Sequence, residues 1–363
     1  MRRGHIHHAR DGGHNGAVPP TVAEFAPCPG RVPSEPSEQP SGVLARPDAE
    51  LRRESNGRES WVFRAANPNE LLGVHAEQVG RALQPGEALR FLLYSPMWEG
   101  HGGPFGIGAP PASHAVAVTE RRFVISRDTH IDGEPPALFS IPFSTVLWIE
   151  SGGAAMFAWL VIRYVDEGAV RSVTVLYRAL GQHHFAAAVR AYRWAAFPEF
   201  CHARTGAPPW PAVWRRIGER QREDVEPLLV EAEQPLAVAA WPALAGWNRK
   251  HGLNNPGCIA PAGALLVSTR GVLAVGDEPP TRIGGVKFGV NAVAVPFDTV
   301  RTATFDDRTT SGPWVVALRL EAGRGVATSN IEVLFPGESL PEIEAALGAC
   351  REHPAVREIA WSS

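Results

Sequence analysis

Cysteine is scarce in this chain, and the spacing of the few that exist excludes two classes of site. Cys28, Cys201, Cys258 and Cys350 lie far apart among 363 residues and form no C-x-x-C pair. That spacing supports neither a zinc knuckle nor a redox pair, so we predict no metal site and no cofactor. Thiols without partners are typical of a reducing compartment, which favours a cytoplasmic protein.

The charge balance argues against nucleic acid as a partner. The formal net charge is −3, and lysine occurs only at Lys250 and Lys287, all other basic residues except histidine being arginine. Nucleic-acid binding needs a concentrated positive surface. No nucleic-acid partner is therefore predicted.

Long apolar runs are also lacking. The N-terminal stretch MRRGHIHHARDGGHNGAVPP has charges but no apolar segment, which is not typical of a secretory signal. The most apolar stretch, Ala154–Ile162, is much shorter than the roughly 20 residues that a spanning helix needs. We predict a cytoplasmic protein that is at most peripheral to a membrane.

The motifs of common enzymes are missing as well. The sequence holds no H-E-x-x-H, G-x-S-x-G or Walker A segment. The stretch WEGHGGPFGIGAPP has Phe105 where a dinucleotide loop would have its third glycine, and a strand pattern follows it instead of a helix. We predict that the chain is not an enzyme. A hydrolase that uses His101 or His251 is a remote alternative.

What is present predicts a mainly β protein behind a long tail. Residues 1–57 are rich in Pro, Gly, Ser, Arg and His without periodicity, which indicates disorder. A capping pattern at Asn67 predicts a helix that ends at Pro85. Short strands separated by turns follow, as in antiparallel sheets, and Gln182–Trp194 has the periodicity of an amphipathic helix.

The second half of the chain repeats the first in order. AVTERRFVIS is matched by LVSTRGVLAV, and IPFSTVLWIE by VPFDTVRTAT, which places Pro142 opposite Pro296. WLVIRYVDEG is matched by WVVALRLEAG, which places Trp159 opposite Trp314. Several blocks in one order indicate a tandem duplication. The predicted divisions are a tail at 1–57, a first domain at 58–200, a connector with helical spacing at 201–226 and a second domain at 227–363.

The motifs of both copies resemble those of the pleckstrin-homology-like (PH-like) superfamily in its bacterial form. LQPGEALRFLLYS, VTERRFVIS and IPFSTVLWIE carry the resemblance in the first copy, and VSTRGVLAV and VPFDTVRTA in the second. The second copy departs from the pattern, because Gly271 replaces an arginine and the Pro-Gly-Glu turn is absent before Leu236. The resemblance implies two tandem, partly open barrels, each with a C-terminal helix. It also implies a binding function for lipid headgroups, peptides or proteins.

Three segments carry candidate binding residues. The loop of the first copy offers an apolar tip for a partner or a membrane interface, although folding back over the barrel end is the favoured alternative. The loop of the second copy offers charges for an anionic group, or is only a solvated turn. The connector resembles a basic amphipathic helix for a membrane or groove, although packing between the domains is favoured. The candidates are Trp98, His101 and Phe105, then Trp247, Arg249, Lys250 and His251, and finally Trp210, Trp214, Arg215 and Arg216.

Together these features predict a non-catalytic binding or scaffold protein that docks a protein partner. The docking places would be exposed edge strands and the groove beside each terminal helix. The alternative is peripheral membrane association through the Trp-bearing loops and the Arg-rich connector.

Overall fold

The structure is a computed structural model, and it describes most of the chain beyond the first sixty residues. The described residues are 22–24, 61–97, 112–131, 134–154, 157–196, 209–231, 233–248, 255–277, 289–309, 313–349 and 361–362. The candidate residues Trp98, His101, Phe105, Arg249, Lys250 and His251 lie outside them, as does nearly all of the predicted tail.

Strands outnumber helices throughout the described residues. The strands are β1 (Val22–Glu24), β2 (Phe63–Arg64), β3 (Leu89–Ser95), β4 (Ser113–Thr119), β5 (Arg122–Asp128), β6 (Ala137–Pro142), β7 (Val146–Ala154), β8 (Phe157–Asp166), β9 (Ala169–Arg178), β10 (Pro235–Trp241), β11 (Leu244–Asn248), β12 (Asn255–Ala260), β13 (Gly263–Ser268), β14 (Gly271–Asp277), β15 (Gly289–Val295), β16 (Val300–Asp307), β17 (Val315–Arg324), β18 (Ala327–Pro336) and β19 (Trp361–Ser362). The α-helices are α1 (Val74–Ala82), α2 (Gln182–Ala196), α3 (Trp210–Trp214), α4 (Glu219–Val225) and α5 (Leu340–Ala349). The prediction of a mainly β chain is confirmed.

The two halves have the same order of elements. In the first, β3–β6 form an antiparallel meander, a short 3-10 turn follows Pro142, and β7–β9 form a second meander before α2. In the second, β10, β13, β14 and β15 form the first meander, a 3-10 turn follows Pro296, and β16–β18 precede α5. We refer to residues 61–196 as the first repeat and to residues 209–349 as the second.

One sheet joins the two repeats. β7 of the first repeat pairs antiparallel with β15 of the second, from Ala154 opposite Gly289 to Ile149 opposite Ala294. The result is a seven-stranded sheet in the order β10-β13-β14-β15-β7-β8-β9. The other sheets have the orders β2-β3-β4-β5-β6, β18-β17-β16-β1-β19 and β11-β12. Among the described residues no sheet closes into a barrel.

The strands β13 and β14 of the joined sheet are buried on both faces, which explains their unbroken apolar runs. In β14, Val272 and Ala274 belong to one apolar cluster, whereas Leu273 and Val275 belong to another on the opposite face. Successive side chains of a strand point to opposite faces, so a strand between two cores is apolar at every position. The cluster that contains Val272 and Ala274 is mainly the core of the second repeat, and the cluster that contains Leu273 and Val275 is shared by both repeats.

A helix precedes the first meander in each repeat and covers its sheet. α1 packs on β4 and β5, and α4 packs on β14 and β15. The predicted helix from Asn67 to Pro85 is divided, because the chain forms a 3-10 turn at Pro68–Glu70 and breaks at Gly73, whose φ is 57°, before α1. Positive φ costs glycine little, so the chain can turn there.

One predicted equivalence between the halves is wrong. Trp159 is the third residue of β8, whereas Trp314 precedes the first residue of β17. The two-residue hairpin turns at residues 167–168 and 325–326 set the true alignment of these strands, which makes Glu167 the equivalent of Gly325 and Ala317 the equivalent of Trp159. The sequence match followed the shared tryptophan, but turn geometry fixes the register of a hairpin.

Candidate functional site

Each repeat places a glutamate in the turn before its first meander. In the first repeat, Gln84 N–H donates to the Glu87 carboxylate at 3.1 Å and Glu87 N–H donates to the Gln84 carbonyl. In the second, Val230 N–H donates to the Glu233 carboxylate at 2.9 Å and Glu233 N–H donates to the Val230 carbonyl. The turn that was predicted to be absent before Leu236 is therefore present. Its carboxylate defines it, and proline and glycine are not required.

The first repeat pairs this glutamate with its own arginine. Arg122, the first residue of β5, donates from Nε and Nη2 to the two carboxylate oxygens of Glu87 at 2.9 and 2.5 Å. Two parallel bonds of this kind are the strong geometry for guanidinium and carboxylate. The hydrogen bonds from Arg122 lower the pKa of Glu87 to about 2. The pair stays within one repeat.

The second repeat takes its arginine from the first. Arg193 of α2 donates to the two carboxylate oxygens of Glu233 at 2.5 and 3.1 Å, and to the Leu228 carbonyl at 2.6 Å. The Ser268 hydroxyl donates to the same carboxylate at 2.5 Å. Both charged side chains are 0% exposed. Removing either partner would lower the free energy of unfolding strongly, because the remaining charge would be buried without compensation.

One backbone position explains why the arginine comes from elsewhere. Thr119 and Ser268 are equivalent, since each hydroxyl accepts the backbone N–H two residues later, at 3.1 and 3.2 Å. The third residue after them is Arg122 in the first repeat and Gly271 in the second. Gly271 has a φ of 146°, which residues with a side chain avoid. An arginine at that position would be strained, so the second repeat depends on Arg193.

Further polar contacts link the two repeats beside the Arg193–Glu233 pair and the β7–β15 pairing. We call these contacts together the joint between the repeats. Gln182 Nε2 of the first repeat donates to the Asp224 carboxylate of the second at 2.8 Å. Thr299 Oγ1 donates to the Leu147 carbonyl at 2.9 Å, which links the second repeat to β7. The two repeats therefore meet through a shared sheet, a buried ion pair and side-chain bonds.

The joint leaves one sheet edge open. β15 is paired on its far side by β7, but its equivalent in the first repeat, β6, ends its sheet and has no second strand partner among the described residues. β6 has the sequence ALFSIP, without a charge. Leu138 is 44% exposed, whereas Phe139 and Ile141 point to the core. Uncharged edge strands are templates for strand pairing.

Four other edges of the larger sheets are better protected. β9 carries Arg171 and Arg178, and β18 carries Glu332. β10 is crossed by α5, and β2 is only two residues long. Charges, cover and short length are the usual means of blocking an edge. Among the described edges of the sheets with five or more strands, β6 is thus the edge most open to an added strand, whereas the two-stranded β11–β12 sheet also has uncharged edges.

A chain of polar side chains lies between α1 and the β4–β5 hairpin. Ser113 Oγ lies 2.8 Å from His75 Nε2 and 2.8 Å from His130 Nε2. His130 Nδ1 lies 3.4 Å from Asp128 Oδ2. The order acid, histidine, serine is that of hydrolase triads. No sequence motif indicates this arrangement, because these residues come from separate elements.

The hydrogen-bond directions do not favour Ser113 as a nucleophile. The Gln78 amide donates to a backbone carbonyl at 3.4 Å, so its oxygen faces Ser126, whose hydroxyl donates to it at 2.6 Å. His75 must then donate from Nδ1 to Ser126 and accept at Nε2 from Ser113. Burial lowers the pKa of His75 to about 4, which keeps the ring neutral. The Ser113 proton therefore points away from His130.

This series of hydrogen-bonded side chains has a clear structural role. Ser113 and Ser126 are 0% exposed and His75 is nearly so, which means that their polar atoms must find partners inside the protein. The bonds tie α1 to β4 and β5. The Ser113 hydroxyl is buried and donates to His75 instead of His130, the histidine beside Asp128. It therefore lacks the arrangement that acyl transfer requires.

The connector residues are placed against the body of the protein. Trp210 and Trp214 stack on each other with ring centroids 4.8 Å apart, and Val213 between them is fully buried. Arg216 pairs with Glu342 of α5 at 3.0 Å. Arg215 is exposed. Trp247 lies in β11, opposite Pro256 of β12.

Sequence reasoning missed the residues that join the repeats. The repeat pattern aligns Arg193 with Arg351 in the terminal helices, which does not indicate an ion pair, and Glu233 belongs to no motif. A signal existed, because the second copy loses the arginine at Gly271 while keeping a glutamate before its first strand. An acidic residue without its partner predicts that the partner comes from outside the repeat.

The described residues contain neither a membrane-spanning helix nor a metal centre. No helix there is long and apolar enough to cross a membrane. No group of three or more His, Cys, Asp or Glu side chains there is arranged to hold a metal ion.

The comparisons with known proteins add no family. No protein-family model, curated protein or solved structure matches the chain. The PH-like resemblance remains a prediction from motifs, and the function has to be inferred from the geometry of this chain.

Proposed function

We propose that the chain is a non-catalytic, cytoplasmic scaffold of two PH-like repeats that binds a protein partner through a sheet edge. The open, uncharged edge of β6 carries this proposal. The order of four strands, three strands and a helix, which occurs twice, supports the PH-like assignment.

The joint between the repeats suits a scaffold. The shared seven-stranded sheet and the buried Arg193–Glu233 pair hold the two repeats in one relation. A rigid body presents its docking edge without the entropy cost of ordering it on binding. On binding, conformational entropy is then lost mainly by the segment of the partner.

An extended segment of the partner would add to β6 as a further antiparallel strand. Backbone hydrogen bonds would supply affinity, and contacts with alternate side chains would supply specificity. Leu138, Ser140 and the last residue, Pro142, are the exposed side chains along this strand. The segment should therefore carry apolar residues at alternate positions and no proline at its centre.

A peptide selection tests this proposal. A library of random dodecapeptides displayed on phage is selected on the immobilised full chain. We expect enriched peptides with alternating apolar residues whose binding falls about tenfold in Leu138→Lys, because a charge on the edge discourages strand addition. Thr174→Lys on the edge strand β9 is the matched control. Enriched peptides that bind Leu138→Lys and the parent equally would overturn the proposal, as would the absence of enriched peptides.

The alternative functions have less support in the geometry. The connector buries Val213 and stacks its tryptophans on each other, which leaves little apolar surface for a bilayer. Flotation of the full chain with neutral and anionic vesicles tests the membrane alternative directly. A hydrolase would need an accessible nucleophile, and Ser113, the serine of the triad-like chain, is fully buried.

A further inference from the structure

The internal repeat shows what kind of strand fits β6. In the second repeat the equivalent strand, β15, pairs with β7, the first strand of the other meander. The equivalent of β7 in the second repeat is β16, because both follow a Pro-Phe-x-Thr 3-10 turn. The chain thus contains one β15–β7 pair and two strands, β6 and β16, that are equivalent to its members but are not paired with each other.

We propose that β6 of one chain pairs with β16 of a second copy, in the register that β15 and β7 use within the chain. This inference rests on the proposed function, since it names a partner for the β6 edge. In a head-to-tail contact of this kind the two surfaces differ, so each chain keeps one free edge of each sort. Association would continue beyond a dimer, either as a ring or as an open filament.

The register follows from the repeat. Asn291 of β15 lies opposite Gly152 of β7. Aligning Pro142 with Pro296 makes Ala137 the equivalent of Asn291. The same alignment, continued through the two 3-10 turns, makes Asp306 the equivalent of Gly152. The proposed contact therefore places Ala137 of one chain opposite Asp306 of the next.

The outer edge of β16 is only partly covered within the chain. β1 pairs with it over Thr302–Thr304, with Ala23 opposite Ala303. In the proposed contact Ser140 of the second copy would lie opposite Ala303. The two arrangements exclude each other, so β1 competes with a second copy for the same edge. A strand of three residues is a weak competitor, because few backbone bonds hold it.

The contact between copies should be weaker than the joint within the chain. The internal joint has the buried Arg193–Glu233 pair, whereas Glu87 of the first repeat is already paired with Arg122. Glu87 is therefore not available to pair with an arginine from a second copy. We expect association that reverses on dilution, because backbone pairing carries most of it.

Cysteine cross-linking tests the register and the head-to-tail direction. Ala137→Cys and Asp306→Cys are made separately in a full chain whose four natural cysteines are changed to serine, and they are oxidised alone and mixed. We expect a disulfide-linked dimer as the main product of the mixture and little from either variant alone. Thr174→Cys mixed with Asp306→Cys is the control, and it should give no dimer.

Sedimentation of the full chain completes the test. We expect the average mass to rise with concentration past twice that of one chain, to fall back in Leu138→Lys, and to rise further in Ala23→Pro, which removes the competitor. Cross-linking of one variant with itself would overturn the head-to-tail register. A chain that stays monomeric, even with Ala23→Pro, would overturn self-association, while peptides sensitive to Leu138→Lys would still support β6 as a docking edge.

Discussion

The two repeats solve the same local problem with different parts of the chain. Each has a carboxylate that closes the turn before its first meander, and each must neutralise it. The first repeat uses Arg122 from its own hairpin, with the side chain 15% exposed, whereas the second uses Arg193 from the other repeat, with the side chain 0% exposed. An internal pair stabilises one repeat, but a shared pair makes the second repeat depend on the first.

The largest expected effect comes from breaking the shared pair. Arg193→Ala should lower the free energy of unfolding by about 3–5 kcal/mol, because Glu233 would remain buried and charged without a partner. Arg122→Ala should cost about 1.5–3 kcal/mol, since water can reach the site. Urea unfolding of both variants measures the difference. Equal losses would contradict the contrast between a shared and an internal pair.

A double variant sharpens this result. Arg193→Met with Glu233→Gln removes both charges while the glutamine can still accept the N–H of Val230. It should recover a large part of the stability lost in Arg193→Ala, because buried ion pairs replaced as pairs cost little. No recovery would indicate that the packing of the arginine stem matters more than its charge.

The second effect is the acid sensitivity that buried histidines give to the first repeat. Burial lowers the pKa of His75 to about 4 and that of His114 to about 3, whereas the described part of the second repeat contains no histidine. In the unfolded chain the two imidazoles bind protons near pH 6.5, whereas in the folded chain they bind them only at about pH 4 or below. The free energy of unfolding therefore decreases as pH falls through this window. At about 1.36 kcal/mol per pKa unit, His75 alone contributes about 3 kcal/mol.

Unfolding by urea between pH 7 and pH 4 measures this loss, and His75→Gln should reduce the slope. Asp224 of α4 acts in the opposite sense, because burial raises its pKa to about 6 and its charge destabilises the fold as pH rises from about 4 to 6. Asp224→Asn should therefore steepen the net loss in acid. A His75→Gln chain with the parent's pH dependence would show that this histidine is not kept neutral by the fold.

The smallest effect concerns the position that separates the repeats. Gly271→Ala should cost about 1–3 kcal/mol, because a φ of 146° is strained for any residue with a side chain. Arg122→Gly, its mirror in the first repeat, loses the ion pair but gains no such strain. Thermal unfolding compares the two. A Gly271→Ala chain as stable as the parent would remove the backbone explanation for the missing arginine.

Much of the fold was predictable because it depends on local pattern. Apolar runs predicted the strands, and Pro-Phe-x-Thr repeated at Pro142 and Pro296 marked equivalent positions in both halves, although the 3-10 turn at this motif was not predicted. Matching the tryptophans Trp159 and Trp314 failed, because side-chain identity does not fix hairpin register. The triad-like chain around Ser113 could not be predicted, because α1, β4 and β5 supply its members.

The sequence by itself determined the strand-rich composition, the duplicated order of elements and the lack of any known catalytic motif. Those properties depend on neighbours along the chain, where apolar period and turn residues act. Only the tertiary structure decided that β7 pairs with β15, that Arg193 crosses to Glu233 and that β6 keeps an open edge. Each of these joins residues far apart in sequence, and the burial that makes them strong exists only after the repeats have packed together.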